Sequence, residues 1–363
     1  MFSSIPRSKA YSMQHKRVAR LSLWRAKMST WEYWPWWLAN VPVYGFWLWF
    51  ALRARHLFFF SNVNPAIPLG GAVGESKHDI LRRLPAPYVP RTLLLEPGIG
   101  VEELGGRLVA AGLTFPLMAK PDVGERGFLV KKAESLSALH EHLSRYAVPF
   151  LVQEFLTLPM EMTVLFHRFP GEGGRFGVTS VCVKAFLQVV GDGRAQVRAL
   201  MARSERAAFQ VERFERDFPD LMGRVPAAGQ VLLLEPVGNH ARGTKFLNGN
   251  ALISPALLAA FEPLCRRLEG VHYGRFDLKC ASEEAMLRGE YQVMELNGVL
   301  GEPAHIYDPR YGMWRAYGDL YRHWRLLYRL HRAQRLAGAR PMPYGEAWRI
   351  IREYFRYKRR VGG

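Results

Sequence analysis

A chain of 363 residues that is 49% apolar and 23% charged can bury a large core in two or three sub-domains, and that balance excludes a disordered chain. The net charge of +18 is confined to the ends: residues 1–60 carry nine Lys/Arg against one acid, residues 303–363 carry fourteen against four, and the 27 of each sign between them cancel. All ten tryptophans lie in the same two flanks, so a neutral body is expected between ends that meet something anionic and apolar.

Lys16, Arg17, Arg20, Arg25 and Lys27 among Val18, Leu21, Leu23 and Trp24 predict a basic amphipathic helix in residues 1–30. The run from Tyr33 to Leu52 is about as long as a bilayer is thick. Pro35 and Pro42 interrupt it, its tryptophans are scattered and both flanks are basic, so an interfacial or re-entrant segment is expected. A true span and an arm covering the body are the alternatives. Arg53, Arg55 and Phe58 to Phe60 continue that surface. At Gly70-Gly-Ala-Val-Gly-Glu-Ser-Lys77, Glu75 or Ser76 can cap a helix beginning near Lys77, whose ammonium can reach a phosphate at the helix start. Val101 to Gly112 reads as a helix. Phe115-Pro-Leu-Met-Ala-Lys120 reads as a strand, Pro121 to Gly127 as a turn and Phe128-Leu-Val as a second strand. A buried Lys120 calls for a nearby anion, unless it snorkels to the surface. Gly124 and Gly127 let the loop present backbone N–H groups. Ser135 to Tyr146 returns as a helix.

Pro149 to Val164 reads as a strand, a short linker and a second strand opened by Glu161, an acid that needs a partner unless it is exposed. Val178 to Val190 holds two strand-like runs, and Gly191-Asp-Gly193 turns toward a helix carrying Arg194 and Arg198. Residues 201–229 read as charged helices. The strand from Val231 delivers Asn239, His240, Arg242, Gly243 and Lys245, the composition of an anion pocket or of a plain basic loop. Ser254 to Glu269 is an amphipathic helix. Next come two apolar strands that carry acids, around Phe276 to Leu278 and Tyr291 to Leu296. Alternation puts Arg275 with Asp277 and Glu295 with Asn297. If the two faces coincide, two carboxylates and an amide oxygen suit Mg²⁺, with Mn²⁺ as the other candidate. Otherwise Asp277 is a buried partner of Arg275. Tyr311 to Arg360 reads as two basic, aromatic helices in which Tyr317, Leu320, Tyr321, Trp324, Leu327, Tyr328 and His331 form a core stripe. Cys182, Cys265 and Cys280 have no metal or redox spacing, so they read as core filler in a reducing compartment.

Gly274-Arg-Phe-Asp277 followed by Glu295-Leu-Asn297, together with Lys120 and Glu161, resembles the ATP-grasp superfamily. The nearest likeness is to D-alanine–D-alanine ligases and cyanophycin-synthetase-type carboxylate–amine ligases. The resemblance covers roughly Gly74 to Glu302. It implies an α+β fold in which two α/β sub-domains clasp ATP, here residues 61–150 and 151–305, between a membrane-facing segment (1–60) and a helical extension (306–363). It also implies roles. Lys77, Lys120 and Lys245 would hold the ATP phosphates under the Gly124 and Gly127 loop, and backbone groups of Glu154, Phe155 and Leu156 would meet adenine. Glu161 would accept the ribose hydroxyls, and Asp277, Glu295 and Asn297 would hold magnesium. Arg275 and Lys245 would act in catalysis, while His240, Arg242, Gly298 and Glu302 would contact substrate. The implied reaction joins a carboxylate to an amine, thiol or hydroxyl through an acyl phosphate. A phosphotransferase and a non-catalytic nucleotide-binding protein at the membrane are the alternatives. D-alanine itself is in doubt, because the usual Ser-Pro-Gly-like sequence is absent at Gly298 to His305. The flanks in place of a front α/β domain point to a lipid-linked or amphiphilic substrate and a cytoplasmic protein on the inner membrane. Nucleic acid fits such apolar ends less well.

Overall fold

In the computed structural model, residues 34–124, 127–171, 173–204, 206–236, 238 and 242–362 are described. The helix expected in 1–30 and His240 lie outside them. Four serines start helices by accepting the N–H three residues on: Ser76 from Asp79, Ser135 from Ala138, Ser254 from Leu257 and Ser282 from Ala285. Each satisfies a donor that the helix itself leaves open.

The helices are α1 (Trp36–Ala39), α2 (Val41–Ala54), α3 (Lys77–Leu81), α4 (Val101–Ala110), α5 (Leu136–Ser144), α6 (Val197–Arg203), α7 (Val211–Asp217), α8 (Pro219–Gly223), α9 (Pro255–Arg267), α10 (Glu283–Leu287), α11 (Met313–Leu336) and α12 (Tyr344–Gly362). The strands are β1 (Thr92–Leu95), β2 (Leu117–Pro121), β3 (Lys131–Ala133), β4 (Phe150–Glu154), β5 (Met160–Arg168), β6 (Phe176–Ala185), β7 (Leu187–Val190), β8 (Val231–Glu235), β9 (Lys245–Asn248), β10 (Tyr273–Cys280) and β11 (Tyr291–Asn297). They form an α+β fold with an antiparallel four-stranded sheet, β1-β4-β2-β3, and an antiparallel five-stranded sheet, β11-β10-β5-β6-β9. A two-stranded β7-β8 sheet packs with α6 to α8 around Phe214 and Met201. Because β4 runs to Glu154 and belongs to the first sheet, the expected 150/151 boundary cuts a strand.

Period-two alternation gives the five-stranded sheet two unlike faces. Phe276, Leu278, Met162 and Val293 pack on Leu257, Phe261 and Leu264 of α9. The other face carries Arg275, Asp277 and Lys279 on β10. The first sheet is closed by Leu104 and Leu108 of α4 and Leu139 and Leu143 of α5.

The described flanks are not separate modules. Phe50, Phe59 and Phe60 share one core with Trp324 and Leu327 of α11 and with Leu165, Tyr273 and Val299 of the body. Phe58 to Phe60 are therefore buried, a correction to the surface expected there; of the stripe on α11, Tyr317, Leu320, Trp324, Leu327 and His331 are core, Tyr328 is half-buried and Tyr321 is exposed. Pro42 sits in the first turn of α2, where a missing N–H costs nothing. Among the described residues no helix is long and apolar enough to cross a membrane.

Candidate functional site

Register brings the polar face together. Arg275 lies opposite Asn297 and Asp277 opposite Glu295, while on its other side Asp277 faces Thr163 and Lys279 faces Glu161. Directly opposed residues share a face, so Arg275, Asp277, Glu295 and Asn297 do coincide. A bulge beside Asp277 leaves Met294 without a cross-strand partner, and its carbonyl accepts from the Lys120 ammonium at 2.8 Å. That contact carries Lys120, on β2 of the other sheet, to the acids of β11.

Two buried lysines serve the cluster differently. Lys184 Nζ donates to Glu161 Oε1 at 2.7 Å and Asp277 Oδ2 at 3.2 Å. Burial works against its charge, but Asp277 and Glu161 outweigh that and hold its pKa above the ordinary value. Lys120 hydrogen-bonds only neutral oxygens, Gln153 Oε1 at 3.1 Å and the Met294 carbonyl. Burial pushes it down to about 8, opposed by Glu295 and reinforced by Lys77. Lys77, at the start of α3, stands 3.8 Å from Glu295 Oε1 and donates to the Gly124 carbonyl. Arg275 Nε meets Asp277 Oδ1 at 3.1 Å and its Nη1 meets the Glu302 carbonyl at 3.1 Å. The Asp277 carboxyl, though buried, stays below the usual range because Lys184 and Arg275 hold it ionised.

Five cations, Lys77, Lys120, Lys184, Arg275 and Lys279, thus meet four acids, Glu161, Asp277, Glu295 and, beside Arg275, Glu302. An additional anion suits that imbalance. Thr163 Oγ1 and Asn297 Nδ2 are buried there without a hydrogen-bond partner. Amide nitrogen and oxygen are interchangeable by a side-chain flip, so Asn297 can turn an oxygen toward Asp277 and Glu295. Each carboxylate oxygen accepts more than one partner. The donor set therefore fits a hard divalent cation held by two carboxylates and completed by other oxygens. Among the described residues no group of three or more His, Cys, Asp or Glu side chains is placed to hold a metal ion, and this cluster brings two carboxylates and an amide.

Other expected residues lie elsewhere or are already engaged. Lys245 is exposed on the edge strand: Phe246, opposite Lys184, takes the site face, its ring 5.6 Å from the Lys184 ammonium, so alternation turns Lys245 away. Glu161 is buried, and Lys184 meets the need on which a ligand was expected there. The Glu154 side chain is forked onto Arg91 at 3.0 and 3.1 Å and its N–H donates to the Arg91 carbonyl. The Leu156 carbonyl accepts from Lys279 at 3.2 Å, and the Phe155 ring lies 4.4 Å from the Lys132 ammonium and 5.7 Å from that of Lys279. Arg242 reaches Glu235 at 3.7 Å and the Gly127 carbonyl at 3.2 Å, tying its loop to the glycine loop. Arg198 pairs with Glu215, and Asp192 of the Gly-Asp-Gly turn accepts from the N–H groups of Arg194 and Ala195. Gly298 is a packing glycine, for a Cβ there would lie 2.5 Å from the Gly70 carbonyl oxygen. Glu302 accepts from the Tyr307 hydroxyl at 2.6 Å.

Lys184, Lys279 and Thr163 escaped the sequence reading. Lys184 carried the same signal as Lys120, a lysine inside an apolar strand. Thr163 carried none. Nearby, Ser180 Oγ, the His305 ring and Asp319 form a hydroxyl–imidazole–carboxylate chain with separations of 2.7 and 3.1 Å. Ser180 has 0% exposure, so this chain joins β6 to α11 and offers no nucleophile to a substrate.

No protein-family model and no curated protein matches the chain. Its structure is similar to VanG D-Ala:D-Ser ligase from Enterococcus faecalis, with 14% identity, a TM-score of 0.40, and coverage of 70% of this chain and 61% of that one. It is also similar to a bifunctional glutathione synthetase from Pasteurella multocida (15%, 0.37, 68% and 36%) and to D-alanine–D-alanine ligase from Bacillus anthracis (14%, 0.38, 71% and 68%). The chain thus spans 61% and 36% of the first two proteins.

Proposed function

We propose that this chain is an ATP-dependent carboxylate–amine ligase of the ATP-grasp kind, with its phosphate and metal site on the polar face of the five-stranded sheet. The carrying observation is the cross-strand pair Asp277 and Glu295, flanked by Arg275 and Asn297, set against Lys77 and Lys120 from outside that sheet. Lys77 and Lys120 bind the phosphates, and Asp277, Glu295 and Asn297 would hold Mg²⁺, which would supply neutralisation of phosphate charge. Lys184 keeps Asp277 ionised and fixed. Arg275, with one edge on Asp277 and the other on the Glu302 carbonyl, orients the substrate carboxylate and stabilises the charge on its oxygen.

In this reading the substrate carboxylate oxygen attacks the γ-phosphorus while the bond to the departing ADP breaks. An amine then attacks the carbonyl carbon, phosphate leaves and the amine proton passes to solvent. The protein contributes position and charge. A phosphotransferase would use the same cluster, and the products separate the two: ADP with phosphate and an amide, or ADP with a phosphoester. The test is calorimetric titration of ATP in Mg²⁺ against wild type and Glu295→Gln, with circular dichroism as the control for folding. The variant is expected to lose ATP binding while keeping its spectrum; a folded variant that binds as wild type does refutes the assignment.

A further inference from the structure

α2 is apolar up to Arg53, and the described residues cover one side of it. Val43, Phe50 and Ala51 face the core, with Phe46 5.5 Å and Phe50 5.7 Å from the Tyr321 ring of α11. On the opposite side Val41, Leu48, Trp49 and Leu52 are 45–74% exposed. Spacings of one and two helical turns put them on one face, and Trp37 and Leu38 of the preceding α1 are exposed as well, at 64% and 41%. A helix of this composition belongs inside an apolar medium, and large exposed apolar patches mark contact surfaces.

The charge around the stripe indicates which medium. Residues 34–60 contain Arg53 and Arg55 and no acid. The Arg53 guanidinium lies 5.9 Å from the Trp49 ring and 5.6 Å from that of Tyr328, at the end of the stripe. On α11, which packs against α2, Arg325 and Arg332 are exposed, each one turn beyond a tyrosine that touches Phe50, Tyr321 and Tyr328 respectively. Asp319 of α11 is engaged with His305 and Tyr311. A second copy docked through this stripe would bring further arginines and, from residues 34–60, no acid to pair with them. Nucleic acid would leave the aliphatic stripe unsatisfied. An apolar helix face rimmed by cations, 14 residues long, suits insertion into one leaflet and is too short to span.

We propose that the outer face of α1 and α2, rimmed by Arg53, Arg325 and Arg332, docks on an anionic lipid bilayer. The site reading above does not depend on this surface, nor this surface on it. Co-sedimentation of the full chain with vesicles of phosphatidylcholine, alone or with about a third phosphatidylglycerol, tests it. Wild type partitions onto the mixed vesicles and less onto the neutral ones, and raised salt weakens binding. Leu48→Glu/Leu52→Glu lowers partitioning at least about tenfold, because two carboxylates enter the apolar layer. Arg325→Gln and Arg332→Gln each lower it roughly fivefold, so the arginine variants read the same surface without altering the stripe. ATP affinity measured on the same proteins stays at the wild-type level, which separates this proposal from the one for the site. Wild type left in the supernatant, equal partitioning by all variants, or self-association abolished by Leu48→Glu/Leu52→Glu without vesicle binding would each overturn it.

Discussion

Lys120 on the four-stranded sheet and Lys184 on the five-stranded sheet are equally buried, at 9% and 8% exposure, yet their surroundings push them in opposite directions. Lys184 bonds two carboxylates and is held above its ordinary pKa; Lys120 bonds two neutral oxygens and falls to about 8. The first cation is compensated inside the protein and belongs to the scaffold. The second is left short of negative charge, as the phosphate-binding role proposed for it requires before a ligand arrives.

Removing each charge should separate the two roles. Lys184→Met leaves Glu161 and Asp277 buried without their shared partner. The expected loss is about 3–5 kcal/mol of stability, read by urea denaturation. A variant as stable as wild type would mean that these acids have other partners. Lys120→Met removes an under-compensated charge, so stability holds or rises. ATP affinity falls roughly ten- to hundredfold, the size of one charge-assisted hydrogen bond to phosphate. The smallest effect is with pH. The folded pKa of Lys120 lies below its unfolded value, so the cost of burying its charge is full below about pH 8 and is relieved as pH rises toward the ordinary lysine range. The stability contribution of Lys120 should therefore increase over that window while ATP affinity declines. Lys120→Met should flatten both trends, and an unchanged pH profile in the variant would assign the titration to another group.

Much of the fold was legible. The helix expected at Val101 to Gly112 is α4, Val101–Ala110, and the one expected at Ser254 to Glu269 is α9, Pro255–Arg267, because caps and apolar periodicity are local signals. Within the site, the alternation that pairs Arg275 with Asp277 was legible too. Lys245 shows what composition leaves open: it marks the loop as basic, and the pairing of Phe246 with Lys184 decides which residue of the edge strand faces the cluster. Phe58 to Phe60 are buried where a surface was expected, since nothing local to an aromatic triplet says that Trp324 will cover it.

The residues themselves determined where helices begin, which strands are apolar on one side, and that lysines and acids stand inside those strands. Those properties depend on neighbours a few positions apart along the backbone. Tertiary structure alone decided which charges neutralise one another and which stay unmatched. The ion pair between Lys184 and Asp277 joins positions 93 residues apart, and strand register, bulge and sheet order set such distances.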